Sequence, residues 1–170
     1  MPNKVYINPE TARTWSDADT TSDELLDLGG AATDTVKCGS YHDLGAAPRA
    51  EWFEVEMFID GFATNPVVGE SVDLYFTQSN TTTGFDGAPT TDPTDTAEGA
   101  VTENQLKNLV YAVSCIVASI TAANNLQARA VVRLTSRYVA PVVHNNTADS
   151  LLGSSDAHMI TLTPIPPEVQ

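Results

Sequence analysis

Positive charge is scarce in this sequence. Eight lysines and arginines stand against 22 aspartates and glutamates, giving a formal charge of −14. So acidic a chain repels phosphate backbones and anionic lipid surfaces, which argues against nucleic-acid and membrane partners. Cysteine is nearly absent. Cys38 and Cys115 lie far apart with neither CxxC nor histidine spacing, so they read as two buried reduced thiols, with a disulfide as the alternative and no metal site. Long apolar runs are missing as well: nothing approaches the roughly 20 residues of a membrane span. The opening MPNKVYINPE has no apolar stretch like that of a signal peptide, so folding in a cytoplasm is expected. What remains is a 170-residue chain, 42% hydrophobic and 18% charged. That is enough apolar material for one full core and too much for a disordered acidic tail.

Catalytic signatures are missing too. CGSY and GSSD lack the G-x-S-x-G frame of a hydrolase elbow. His42, His144 and His158 are spread over three segments, and a nucleophile meeting one of them in space is disfavoured. His144 and His158 are expected to end adjacent strands, satisfied by hydrogen bonds. Asp17 with Asp19, and the group Asp86, Asp92 and Asp95, raise calcium. Neither supplies the positions of an EF-hand loop, so no metal or other cofactor is expected. Asn80-Thr81-Thr82 and Asn145-Asn146-Thr147 match the glycosylation acceptor pattern, which carries no weight without a secretion signal. Trp15, Trp52 and Tyr75 could line a sugar-binding face, although scattered rings are more often packing residues.

The pattern that is present is that of strands. Residues 1–24 show no sustained period and read as an extended N-terminal arm. In EWFEVEMFIDGF, 51–62, Phe53, Val55, Met57 and Ile59 alternate with Glu54, Glu56, Phe58 and Asp60. SVDLYFT repeats the alternation with Val72, Leu74 and Phe76 inward, so the two runs are expected to form a hairpin. Charged alternate faces favour antiparallel sheets with one solvated side. QLKNLVYAVSCIVASI fits helical spacing, yet its β-branched content and its neighbours favour a strand from about Asn108 to Ala118. ARAVVRLTS, RYVAPVVHN and HMITLTP add three more, with Val131 and Val142 expected inward and Pro141 suggesting an edge or a bulge. Together these predict an all-β fold, an antiparallel β-sandwich of jelly-roll type spanning 25–170 as one domain. The polar stretch 78–104 is expected to be a long, solvent-facing, tolerant loop.

VYINPETARTW at 5–15, YHDLGAAPRA at 41–50, TNPVVGESVDLYFTQS at 64–79, LKNLVYAVSCIV at 106–117, RYVAPVVHNNTADSLL at 137–152 and the closing TLTPIPPEVQ carry a resemblance. They resemble a family of small β-sandwich virion proteins from tailed, especially marine, bacteriophages, in which strands of the form GxxVDLY and YxxPVVxNxT recur. The likeness runs along nearly the whole chain, and its motifs are structural. It implies a non-enzymatic capsid decoration, or cement, protein on the outer surface of the head, assembled in the host bacterial cytoplasm. Its partner would be the major capsid protein, with a homo-trimer or cluster at local symmetry axes. No catalytic residues come with the resemblance. An arm can add to a neighbour's sheet edge through main-chain hydrogen bonds, which makes Tyr6, Ile7 and Trp15 the candidate capsid contacts. The alternatives are a head-fibre or tail component, or a carbohydrate-binding module on the virion surface.

Overall fold

The alternation in the sequence becomes two antiparallel sheets with their apolar faces turned toward each other. The computed structural model describes residues 11–16, 25–85, 87, 97–100, 103–153 and 158–166. The strands are β1 (Arg13–Ser16), β2 (Thr35–Cys38), β3 (His42–Asp43), β4 (Trp52–Ile59), β5 (Ser71–Ser79), β6 (Ala97–Ala100), β7 (Val110–Ile116), β8 (Leu126–Arg133), β9 (Tyr138–Asn146) and β10 (His158–Ile165), and one helical turn, α1 (Glu103–Leu106), precedes β7. The first sheet runs β1-β10-β4-β8; the second runs β6-β2-β9-β5-β7, with β3 beside β9. Phe53, Val55, Met57 and Ile59 from β4, Ile160 and Leu162 from β10, and Val72, Leu74 and Phe76 from β5 share one core with Trp15, Leu134 and Leu151. The architecture is therefore all-β and β-sandwich-like.

The pairing is nested. β1 pairs β10, β2 pairs β9, β4 pairs β8 and β5 pairs β7, each antiparallel, and successive pairs fall in alternate sheets. This corrects the expected hairpin, because β4 and β5 lie in different sheets. The 60–70 connection crosses the sandwich, and Phe62 plugs into the core on the way, its N–H bonded to the Ala122 carbonyl at 2.9 Å. Facing sheets stand about 10 Å apart, a gap such a connection spans and a two-residue turn does not.

Two inward assignments change as well. Val131 is 58% exposed, and its neighbour Val132 is buried instead. Register decides this: Val132 stands opposite Phe53 and Val131 opposite Glu54. Val142 is buried, but on the far side of its sheet, with Val36, Cys38 and Ala140 in a second apolar cluster backed by Tyr75, Leu106 and Leu109. Pro141 sits in the central strand β9, not at an edge. Its carbonyl accepts from Gly39 N–H at 2.9 Å. An antiparallel residue turns its N–H and C=O to the same side, so the missing N–H faces Gly39, where β2 has just ended. A Cβ on Gly39 would come within 2.9 Å of Pro141 Cγ, so glycine is what lets the ring sit there.

The 78–104 span is structured at both ends. β5 runs on to Ser79, β6 pairs with β2, and α1 begins at Glu103. Phe85 is buried against Tyr41, which in turn meets Tyr138 edge-on. Residues 88–96 lie outside the described residues.

Candidate functional site

Of the three residues expected to contact a capsid, Tyr6 and Ile7 lie outside the described residues. Trp15 is a core residue with no exposed surface. It stands opposite Ile160 in β1, its indole N–H donates to the Ser40 carbonyl at 2.9 Å, and its ring meets Phe76 and His42 edge-on. A partner could reach it only by opening the core, so Trp15 is withdrawn as a contact residue, and β1 belongs to the body rather than to an arm.

The chemically reactive side chains are engaged in structure. Cys38 and Cys115 are both free and buried, one in the second cluster and one in the main core, on opposite faces of the same sheet, which rules out the disulfide. Burial pushes both thiols up to about 12, with the charge of Asp73 adding to the effect at Cys115. His144 and His158 do not end adjacent strands: they lie in different sheets. His144 Nε2 is 3.1 Å from Asp34 Oδ1. His158 is buried, with Nε2 on the Leu152 carbonyl at 2.9 Å and Nδ1 accepting from Asp60 N–H at 3.3 Å. Of the two acceptor-pattern asparagines, Asn80 is exposed. Asn145 is buried, and its Nδ2 donates to the carbonyls of Ala31, Ala32 and Asp149 while its Oδ1 accepts from Thr147, so it offers nothing to a glycan. Among the described residues no group of three or more His, Cys, Asp or Glu is placed to hold a metal ion. Asp17, Asp19, Asp86, Asp92 and Asp95 lie outside them.

Among the described residues, two outward surfaces set exposed rings beside polar groups. One is an open groove of about 410 Å³ on the outer face of the second sheet, lined by Tyr75, Leu106, Lys107, Leu109 and Tyr111. It exists because Leu106 of α1 and Leu109 pack, beside Tyr75, against the second apolar cluster on β2 and β9. A register shift opposite Leu74 and Tyr75 makes Ala112 an extra residue, which brings Tyr111 beside Tyr75. The two rings meet edge-on at 5.5 Å. Tyr111 Oη lies 2.8 Å from Ser114 Oγ, and Ser114 donates in turn to Asp73. Burial, then the charge of Asp73, then Tyr111 push the Tyr75 phenol up. The groove thus combines an apolar floor with a hydrogen-bonding rim. Trp15, Trp52 and Tyr75, grouped in the sequence reading, share no face. Tyr111 was missed, although the spacing of Val110, Val113 and Cys115 in VYAVSCI departs from strict alternation and so signals the bulge that aims it outward.

The other surface is the solvated face of the first sheet. Arg129 bridges Glu56 at 2.9 Å and Arg133 bridges Glu51 at 2.7 Å, with Arg133 also near the Trp52 ring. Trp52, Val131 and Ile165 stand exposed among these charges. Arg129 and then Gln127 hold the Glu56 carboxyl below its ordinary range. The sequence matches no protein-family model and no curated protein.

Proposed function

We propose that the chain is a non-enzymatic virion structural protein of a tailed bacteriophage, a capsid decoration protein that binds and stabilises the outer surface of the head through the major capsid protein. The observation that carries this reading is where the resembling segments fall. GESVDLYF and YVAPVVHNNT lie on β5 and β9, which pair along their length as neighbours inside the second sheet. The family-like motifs therefore specify the body of a sandwich, in keeping with a protein that works as a shaped surface. The nested strand pairing supports jelly-roll wiring, in which one long hairpin is wrapped so that its paired arms alternate between two sheets. A surface of net charge −14 suits the exterior of a DNA-filled head.

Attachment is assigned to an N-terminal arm preceding β1, with Tyr6 and Ile7 as contacts, adding to a capsid sheet edge. Many weak copies on a lattice then act through avidity, and binding assembled shells in preference to free subunits stabilises the shell. The test is stoichiometry: quantitative mass spectrometry of purified virions should find the chain in proportion to the major capsid protein. A handful of copies per particle would move it to a head fibre or tail.

A carbohydrate-binding module on the virion surface is the second reading, favoured by the Tyr75–Tyr111 groove and its Ser114–Asp73 rim. Glycan-array binding lost in Tyr111→Ala would establish it in place of a purely structural role.

A further inference from the structure

The described sheet edges differ in how they are protected. A free edge offers unpaired N–H and C=O groups to other strands, and natural sheets blunt it with shortness, bulges, proline or cover. β1 and β6 have four residues each, and β1 is bridged at Ser16 to Leu25. β7 carries the bulge at Ala112. β8 has none of these and is guarded only by the charges of Arg129 and Arg133, both engaged by glutamates of the same face: LQARAVVR pairs with β4 over all eight residues without interruption.

Antiparallel alternation shows which groups β8 leaves free. Leu134 N–H donates to the Glu51 carbonyl at 2.8 Å. Residues in phase with it, Val132, Ala130 and Ala128, therefore turn their main chain to β4, while Gln127, Arg129, Val131 and Arg133 turn theirs outward. A second observation concerns the core. The apolar residues that pack against it while only partly buried are Val110, Ala112 and Val113 on β7, and Ala128 and Ala130 on β8. All five lie on two edge strands that run close together. Among the described residues, this seam is where the core is incompletely covered.

We infer that a second copy of the chain closes the seam, β8 pairing antiparallel with its partner's β8 about a two-fold axis at Ala130. With the axis there, Arg129 stands opposite the partner's Val131 and Gln127 opposite the partner's Arg133. Every outward main-chain group finds a partner and no arginine faces an arginine. An axis at Arg129 would set that residue against itself, and one at Val131 would set Arg129 against the partner's Arg133 twice; like charges directly opposite are destabilising. The location also suits the charge of the molecule. Two of its eight basic residues lie on this strand, already bridged to Glu51, Glu54 and Glu56. Two otherwise acidic copies repel least along this stripe.

Sedimentation of the full chain across a concentration series is expected to show a reversible dimer. Val131→Arg, which brings a cation against the partner's Arg129 at two symmetric positions, should weaken association about tenfold. Val131→Pro removes only an outward N–H and should leave a folded monomer by circular dichroism; if it does not fold, Val131→Arg decides. Ala130→Cys should cross-link to itself with copper phenanthroline and oxygen, two thiols giving one disulfide and passing two electrons to the oxidant, since facing residues in a non-hydrogen-bonded pair stand about 4.5 Å apart at Cα. Gln127→Cys, far from the axis, should not. A chain monomeric at every concentration overturns the inference. So does a dimer indifferent to both Val131 substitutions, and so does a lone monomer whose binding to phage heads is lost in Val131→Arg, which would give the edge to the capsid.

Discussion

Asn145 holds three carbonyls from two separate turns with a single side-chain amide. Replacing it with alanine removes one donor from each carbonyl, although Ala31 keeps the Leu151 N–H, Ala32 the Thr35 hydroxyl and Asp149 the Thr147 hydroxyl, and each lost hydrogen bond is worth about 1 kcal/mol. Asn145→Ala is therefore expected to lose about 3 kcal/mol in urea unfolding. The register of β8 offers a paired check: Val132→Ala should destabilise measurably, whereas Val131→Ala should stay within about 0.5 kcal/mol of the parent in the monomer. Phe76→Ala, deep in the core against Trp15, should cost about 3–5 kcal/mol. The two thiols should be inert. Raised to about 12, each has a thiolate fraction near one in ten thousand at pH 8. An aromatic disulfide reagent should titrate both only after unfolding, and rapid native labelling would contradict their burial.

The strands themselves were largely legible in the sequence, and their partners were not. Alternation over 51–62, 71–77 and 158–164 marks strands because one face is wet and the other dry. It is silent about whether consecutive strands share a sheet, which is why β4 and β5 read as a hairpin. Val131 was misplaced because VV satisfies either phase; only the cross-strand neighbours Phe53 and Glu54 break the tie. Trp15 was misread for a related reason, since a four-residue strand flanked by polar residues leaves no period to detect. Its burial alters what truncation should do. Deleting 1–10 is expected to preserve the fold and, if the arm attaches the protein, to lower occupancy on heads. Deleting 1–15 should unfold or strongly destabilise the chain, because it removes most of β1 and the Trp15 ring. Intrinsic fluorescence during thermal melting separates the two outcomes. Of the candidate surfaces, the groove was readable only in part: the bulge shows in VYAVSCI, but the meeting of the preceding helical turn and Tyr111 with Tyr75 of β5 is a matter of strand pairing.

The link between β3 and β9 supplies a pH dependence. Arg137 bonds both carboxylate oxygens of Asp43, at 2.8 and 2.6 Å. The Arg137 hydrogen bond, assisted by the Gly45 N–H and the nearby charge, holds this carboxyl below its ordinary range, though burial opposes it. A group depressed in the folded state contributes stability above its unfolded value, about 3.9, and loses that contribution as the pH falls through the folded value. Arg137→Gln should accordingly narrow the stability difference between pH 6 and pH 3. An unchanged difference would show the exposed pair to be energetically idle.

For the molecule as a whole, self-repulsion is the dominant long-range term. With a formal charge of −14, the melting temperature should rise as salt is added up to about 0.15 M, where the screening length falls to about 8 Å. Differential scanning fluorimetry over a chloride series measures this, and a flat response would mean that the charges are already spaced beyond each other's reach.

The nested pairing also sets a timetable for a chain emerging from a ribosome. β5 and β7 meet early, but β10 sits between β1 and β4, so until this last strand has been made β1 has no strand beside it in the first sheet and β4 is paired on one side alone, by β8. β1 and one edge of β4 must wait unpaired while about a hundred residues or more are added, a loop-closure debt that slows folding and exposes intermediates to aggregation. Ribosome-bound nascent chains arrested before His158 should accordingly be protease-sensitive throughout β1 and β4, and become resistant together once Ile165 has cleared the exit tunnel.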